Sequence, residues 1–207
     1  MASEQSLYLQ SRNGGSLFLR RGLIDLAKGL LSTEGPEALT LRRLAHAAGC
    51  STKVIYANFG GKSGVAEALY RSAFETVRQH FQTVPEDISP LERIRLLALA
   101  YRNFALAEPE MYGLMYERTI PGYTPSADAI RTAADTFALV LQPIEDCIRN
   151  GSLIVNDSEE IVRKLWATQH GHISLALSGY IVPEESEEEY ISLVEGVLTR
   201  YRKLDNK

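Results

Sequence analysis

Residues 40–69 read TLRRLAHAAGCSTKVIYANFGGKSGVAEAL, and the punctuation of this stretch decides the fold. Thr40 offers a side-chain oxygen at the start of a short apolar-periodic run, Leu41, Leu44, Ala45 and Ala48, which is the signature of a capped helix. Gly49 stops that helix after about two turns, since glycine takes the left-handed conformation at little cost. Ser51 opens a second short helix carrying Val54, Ile55 and Phe59, and Gly60-Gly61 closes it. Two short helices joined by a three-residue turn predict a helix-turn-helix.

Upstream, Leu19, Leu23, Leu26, Ala27, Leu30 and Leu31 form one helical stripe from Ser16, ended by Gly35-Pro36. Residues 1–15, rich in Ser, Gln, Asn and Gly, read as a flexible tail. Downstream the helices lengthen: 63–82; 91–107; a short Met- and Tyr-rich helix after Pro109, up to a break at Pro121-Gly122; 126–150; 157–178; and 184–203. Pro143 should kink or split the fourth of these, whose apolar stripe reads Ile130, Ala134, Phe137, Leu141, Ile144 and Ile148. Asp157 with Glu160 reads as a capping box. No alternating strand pattern and no repeat is found, so the chain is expected to be all-α with about nine helices. The expected division is tail 1–15, DNA-binding domain 16–62, and ligand-binding and dimerisation domain 63–207.

Composition narrows the function. Of 207 residues, 45% are hydrophobic and 23% charged, an ordinary globular balance. No apolar run approaches the roughly 18 residues that a membrane span needs. No secretory signal pattern opens the chain, so a cytoplasmic location is expected. Cys50 and Cys147 are too few for a disulfide framework. The formal net charge is −4, but residues 1–65 hold eight Lys/Arg against four acids, giving +4 and leaving −8 for the rest. A basic N-terminal third on an acidic body implies different partners for the two parts.

The 40–69 segment resembles the DNA-binding signature of the TetR family of transcriptional regulators, at Thr40, Leu44, Ala45, Ala48-Gly49, Ser51, Tyr56, Phe59 and Lys62. With the preceding helix the resemblance covers residues 16–69. It implies that Thr40, Tyr56 and Lys62 hold the DNA backbone while Ser51, Thr52, Lys53 and Val54 read sequence. The residue types suit those roles. A recognition helix offers its N-terminal residues to base edges in the major groove; lysine can read guanine, and valine can meet a thymine methyl. Arg42 and Asn58 are further phosphate candidates. Tyr56 is alternatively a half-buried packing residue, and Val54 is as well suited to the core. Lys53 and Asn58 depart from the commoner family pattern, which has small residues at the first position and an aromatic or His at the second. Arg12 in the tail reads either as a disordered arginine or as a minor-groove contact.

In the body, Leu165-Trp166-Ala167-Thr168-Gln169-His170-Gly171 looks like the Trp-x-x-x-His-Gly motif of one TetR C-terminal class, and Pro109 to Met115 fits the same class. This implies a dimerising domain that answers a small-molecule effector, with no other cofactor. The candidate ligand set is Tyr101, Arg102, Phe104, Met111, Tyr112, Met115, Phe137, Trp166 and His170. Each is also a plausible core residue, and an ion pair is the plainer role for Arg102. His170 and His172 lie about 200° apart around a helix and cannot share a metal. Glu184 to Glu189 reads as a solvated helix start rather than a metal site. The expected partners are a palindromic double-stranded operator, the effector, and a second copy of the chain. That copy would pair through the last two helices at Ile173, Leu177, Leu193 and Val197, which would equally serve an intramolecular core. No catalytic residues are assigned: neither a Gly-rich phosphate loop nor an H-E-x-x-H or G-x-S-x-G motif occurs. The expected mode is a repressor released by its ligand, with a ligand-dependent activator and a ligand-independent DNA-binding protein as alternatives.

Overall fold

The computed structural model describes residues 7–116, 120, 122–154, 157–182 and 186–202, with the backbone alone for 7–14. The side chain of Arg12 and residues Pro121, Glu184, Glu185 and Lys203 therefore lie outside the described residues. Among those described there are nine α-helices: α1 Leu7–Glu34, α2 Leu41–Ala48, α3 Thr52–Phe59, α4 Lys62–Gln82, α5 Pro90–Ala107, α6 Pro109–Tyr116, α7 Ala127–Arg149, α8 Ser158–Leu177 and α9 Glu187–Thr199. A single 3-10 turn spans Pro36–Ala38, and the only pairing of extended backbone among the described residues is the isolated bridge between Leu153 and Arg202.

Four expectations change in detail. Helix reaches back to Leu7, through the stretch read as a tail, and is interrupted at Gly15, whose φ of 77° and ψ of 177° only glycine adopts readily. α7 runs through Pro143 as one helix; the proline ring is buried there, so packing offsets the missing hydrogen bond. The register of α7 also differs, because Ile130 is 56% exposed while Ala129, Thr136, Ile144 and Cys147 are buried. At α8, Asp157 caps the helix by accepting from the Glu159 N–H at 3.0 Å. Glu160 makes no reciprocal box; its carboxylate is taken by Lys164 and the Tyr201 hydroxyl.

The chain forms two compact units. One comprises residues up to Phe74 with Glu110–Arg131, the other Glu75–Pro109 with Thr132–Lys207. In the first unit α1 packs on α2, and α2 on α3. Its core includes Leu23, Ala27, Leu31, Leu44, Ala48, Ile55 and Leu69. Glu67 of α4 also ties down the loop before α7 by accepting from the Tyr123 hydroxyl at 2.9 Å and the Ser126 N–H at 3.2 Å. Burial raises the pKa of that carboxyl, and the bonds from Ser126, Tyr123 and Arg71 outweigh it, so the net direction is downward. In the second unit α8 and α9 pack together and both meet α5. Its centre holds Ile94, Phe104, Ile173, Tyr190, Val194 and Leu198.

Candidate nucleic-acid interface and effector cavity

An isolated helix of eight residues is unstable in water, so α3 must be held by its surroundings. Four devices hold it. Thr40 caps α2, accepting from the Arg43 N–H at 3.2 Å. Gly49 leaves α2 in the left-handed region (φ 63°, ψ 36°), and the Cys50 N–H returns to the Ala45 carbonyl at 3.0 Å, closing a Schellman turn. Ile55 is fully buried, worth about 2 kcal/mol of transfer energy. At the far end, Arg20 of α1 donates to the Asn58 carbonyl and stacks over the Phe59 ring, 4.4 Å from its centroid.

The exit from α3 needs two more glycines. Gly60 is left-handed (φ 72°, ψ −8°). Gly64 lets the start of α4 cross closely: a Cβ there would overlap the Phe59 carbonyl oxygen and stand 2.7 Å from its carbonyl carbon. Gly64 was not among the expected functional residues. Its signal was a glycine near the start of a helix, where it costs up to about 1 kcal/mol relative to alanine unless something requires it.

What α3 leaves outward is polar. Ser51 is exposed and makes no side-chain capping bond. Lys53 is exposed, Thr52 and Val54 are half-buried, and Tyr56 is 55% exposed. Thr40 and Arg42 are exposed and Lys62 is half-buried. Arg43 is committed to Glu34, whose carboxyl its guanidinium holds below the usual carboxylate range; Arg42 has no ion pair among the described residues. The Asn58 amide donates to the Val54 carbonyl at 2.9 Å within α3.

The second unit contains a cavity between α4, α5, α7 and α8. Phe81, Leu97, Tyr101, Phe137, Trp166 and Gln169 are among its lining residues. It encloses about 380 Å³ counting the part open to solvent, but it is tight, and in this form it accommodates little more than water. Of the expected ligand set it gathers Tyr101, Phe137 and Trp166. Their rings run in series, with centroids 6.5 Å apart for the first pair and 5.8 Å for the second. Arg102, Phe104, Met111, Tyr112, Met115 and His170 do not line it. Arg102 is buried but turned to α9, where it donates to Ser186 Oγ at 3.2 Å and lies 3.6 Å from Glu187. His170 meets Trp166 ring to ring at 6.2 Å, outside the lining. Met111, Tyr112 and Met115 are buried in the first unit.

The remaining reactive groups are quiet. Burial pushes the Cys147 thiol up to about 11 and lowers the basicity of His172. No group of three metal-ligating side chains, and no helix long and apolar enough to cross a membrane, occurs among the described residues.

Comparison with known proteins agrees with this architecture. Residues 23–69 match the family model described as bacterial regulatory proteins, tetR family, and residues 94–197 match the model described as tetracyclin repressor-like, C-terminal domain. The chain belongs to the TetR family. It is thus a transcriptional regulator with a helix-turn-helix DNA-binding fold. Among solved structures it is similar to a protein of unknown function from Rhodococcus sp. RHA1, at 26% identity and a TM-score of 0.77, covering 91% of this chain and 97% of that one. It shares its fold with the TetR family regulator PfmR from Thermus thermophilus (18% identity, TM-score 0.66, 86% and 97% covered). The same holds for a TetR family regulator from Marinobacter aquaeolei (14% identity, TM-score 0.65, 89% and 95% covered). No curated protein matches the chain.

Proposed function

We propose that this TetR regulator is a cytoplasmic, non-enzymatic repressor that binds a palindromic operator as a homodimer and is released by a small-molecule effector. The observation that carries the DNA-reading part is the exposed polar rim around α3, on the basic third of the chain. Ser51, Thr52, Lys53 and Val54 take the base-reading positions. Thr40, Arg42, Tyr56 and Lys62 take phosphates; Asn58 supports α3 from within. One two-turn helix makes too few contacts for specific affinity, so two copies about 34–36 Å apart are needed.

The dimer face is read from what α8 and α9 leave uncovered. Ala167, Gly171 and Leu175 on α8, and Leu193 and Gly196 on α9, are not buried in the single chain. Small residues beside leucines suit close packing of a helix pair against its copy. Leu193, 41% exposed, fits the expected interface; Ile173 is fully buried and belongs to the core, while Leu177 and Val197 are half-buried.

The effector is assigned to the cavity beside Trp166. It shifts DNA affinity only by binding better to a form whose recognition helices are wrongly spaced. The tightness of the cavity favours a second reading, a DNA-binding regulator without effector. The two part on whether any small molecule enters.

The DNA assignment is tested by gel shift on a duplex selected for binding. Tyr56→Phe and Lys62→Ala should weaken binding on every sequence by about tenfold, and Lys62→Ala should lower the salt slope by about one. Lys53→Ala should relax base preference at one position. Unchanged binding in all three overturns the assigned face.

A further inference from the structure

The cavity in the second unit has one unusual member. α8 buries a stripe of Ile161, Leu165, Ile173 and Ala176, spaced three, four or eight residues apart, and Gln169 occupies the same stripe. Gln169 is only 8% exposed, lines the cavity, and its side chain makes no hydrogen bond among the described residues. Its amide faces the cavity space, so a ligand that fills the cavity would bury it, and an amide buried without a partner is costly.

The rest of the lining defines that partner by exclusion. None of the lining residues carries a charge. The buried cation of α5, Arg102, is held by Ser186 and Glu187 on α9, and His170 stands outside the lining against Trp166. A charged ligand would lose its hydration here with no counter-charge in exchange. Tyr101, Phe137 and Trp166 present a continuous aromatic wall, and Trp166, 41% exposed while also lining the cavity, stands at its mouth.

From this arrangement we infer that the effector is an uncharged, ring-containing hydrophobic molecule bearing one hydrogen-bonding group that the Gln169 carboxamide pairs, with the aromatic wall against its ring. The inference rests on the reading of this cavity as the effector site. Binding must part the walls, because the present space holds little more than water.

Three probes of one shape test it: 2-naphthamide, 2-naphthoate and 2-methylnaphthalene, which differ only in the group offered to Gln169. The chain has one tryptophan, so the ¹⁵N–¹H signal of its indole reports on the cavity mouth without assignment. In the intact protein, 2-naphthamide should shift that signal saturably and 2-naphthoate should not. Gln169→Leu should weaken 2-naphthamide by about fivefold to tenfold, the range of one hydrogen bond, and leave 2-methylnaphthalene unchanged. Gln169→Met serves the same purpose should the leucine variant fail to fold. Binding of 2-naphthoate as tight as that of the amide, or an unaltered preference for the amide in the variant, overturns the inference while the effector site stands. Silence from all three probes overturns the effector site, and the inference with it.

Discussion

Around α3, Ser51, Lys53 and Tyr56 stand exposed on one short helix and its cap, whereas beside α8 the Gln169 amide faces an uncharged, largely apolar cavity. The two regions solve opposite problems. A polyanion comes with its own hydration and counterions, and many weak exposed contacts are what displace them. A small ligand is recognised by excluding water, so one well-placed polar group suffices and more would cost desolvation. Polar substitutions in the first region are therefore expected to change specificity more than the fold.

The comparison can be broken hardest at the support of α3. Gly64→Ala drives a Cβ into the backbone of Phe59, where no flexible side chain can yield. The expected loss is about 3 kcal/mol of stability in the first unit, with operator binding abolished. Thermal unfolding and gel shift read both, and a variant that unfolds and binds as the parent does would show that the close crossing is not needed.

Next comes Leu193→Asp. Because Leu193 is exposed in the single chain, the aspartate should leave the fold intact while placing like charges across the proposed dimer face. Sedimentation should show a monomer, and operator affinity should fall at least about a hundredfold, the few kcal/mol that a buried unpaired charge costs. A dimer of undiminished stability would move the interface elsewhere.

Arg20→Met is milder. It keeps the aliphatic packing over Phe59 but removes the bond to the Asn58 carbonyl and the cation–π contact. Together these are worth about 1–2 kcal/mol, to be read by chemical denaturation.

The smallest effect belongs to the second unit. Burial depresses the pKa of His172, so the unfolded chain takes up a proton first as pH falls below about 6.5. Stability is therefore full above that value and declines below it. The nearby Glu189 carboxylate, 3.8 Å from Nε2, opposes the shift and Arg102 reinforces it. His172→Leu should flatten the decline between about pH 6.5 and 5 while the remaining carboxylates keep theirs. An unaltered slope would assign the acid response to other groups.

The two regions also differ in how far the sequence discloses them. The helix-turn-helix is local: its caps and turns are Thr40, Gly49, Ser51 and Gly60, all within twenty-one residues, and the threonine and both glycines have a backbone reason to be where they are. The cavity is assembled from α4, α5, α7 and α8, and no short-range rule says which face of each turns inward. Tyr101, Phe137 and Trp166 were identifiable as aromatic residues on helical stripes. Arg102 and His170 were not separable from them, since an ion pair with Glu187 joins residues 85 positions apart. Gln169 is legible in principle, as a polar residue in an apolar register, beside the more conspicuous Trp166 and His170. In α7 the residue type of Ile130 argues for an inward place, but it lies outward, where tertiary packing sets the register.

The account stands on sequence-specific DNA reading by paired copies of α3. Selection of bound sites from random duplex DNA with the purified protein, at two salt concentrations, tests this most directly. The account predicts a palindromic consensus, with affinity falling steeply as salt rises. No enriched sequence at either salt would contradict it.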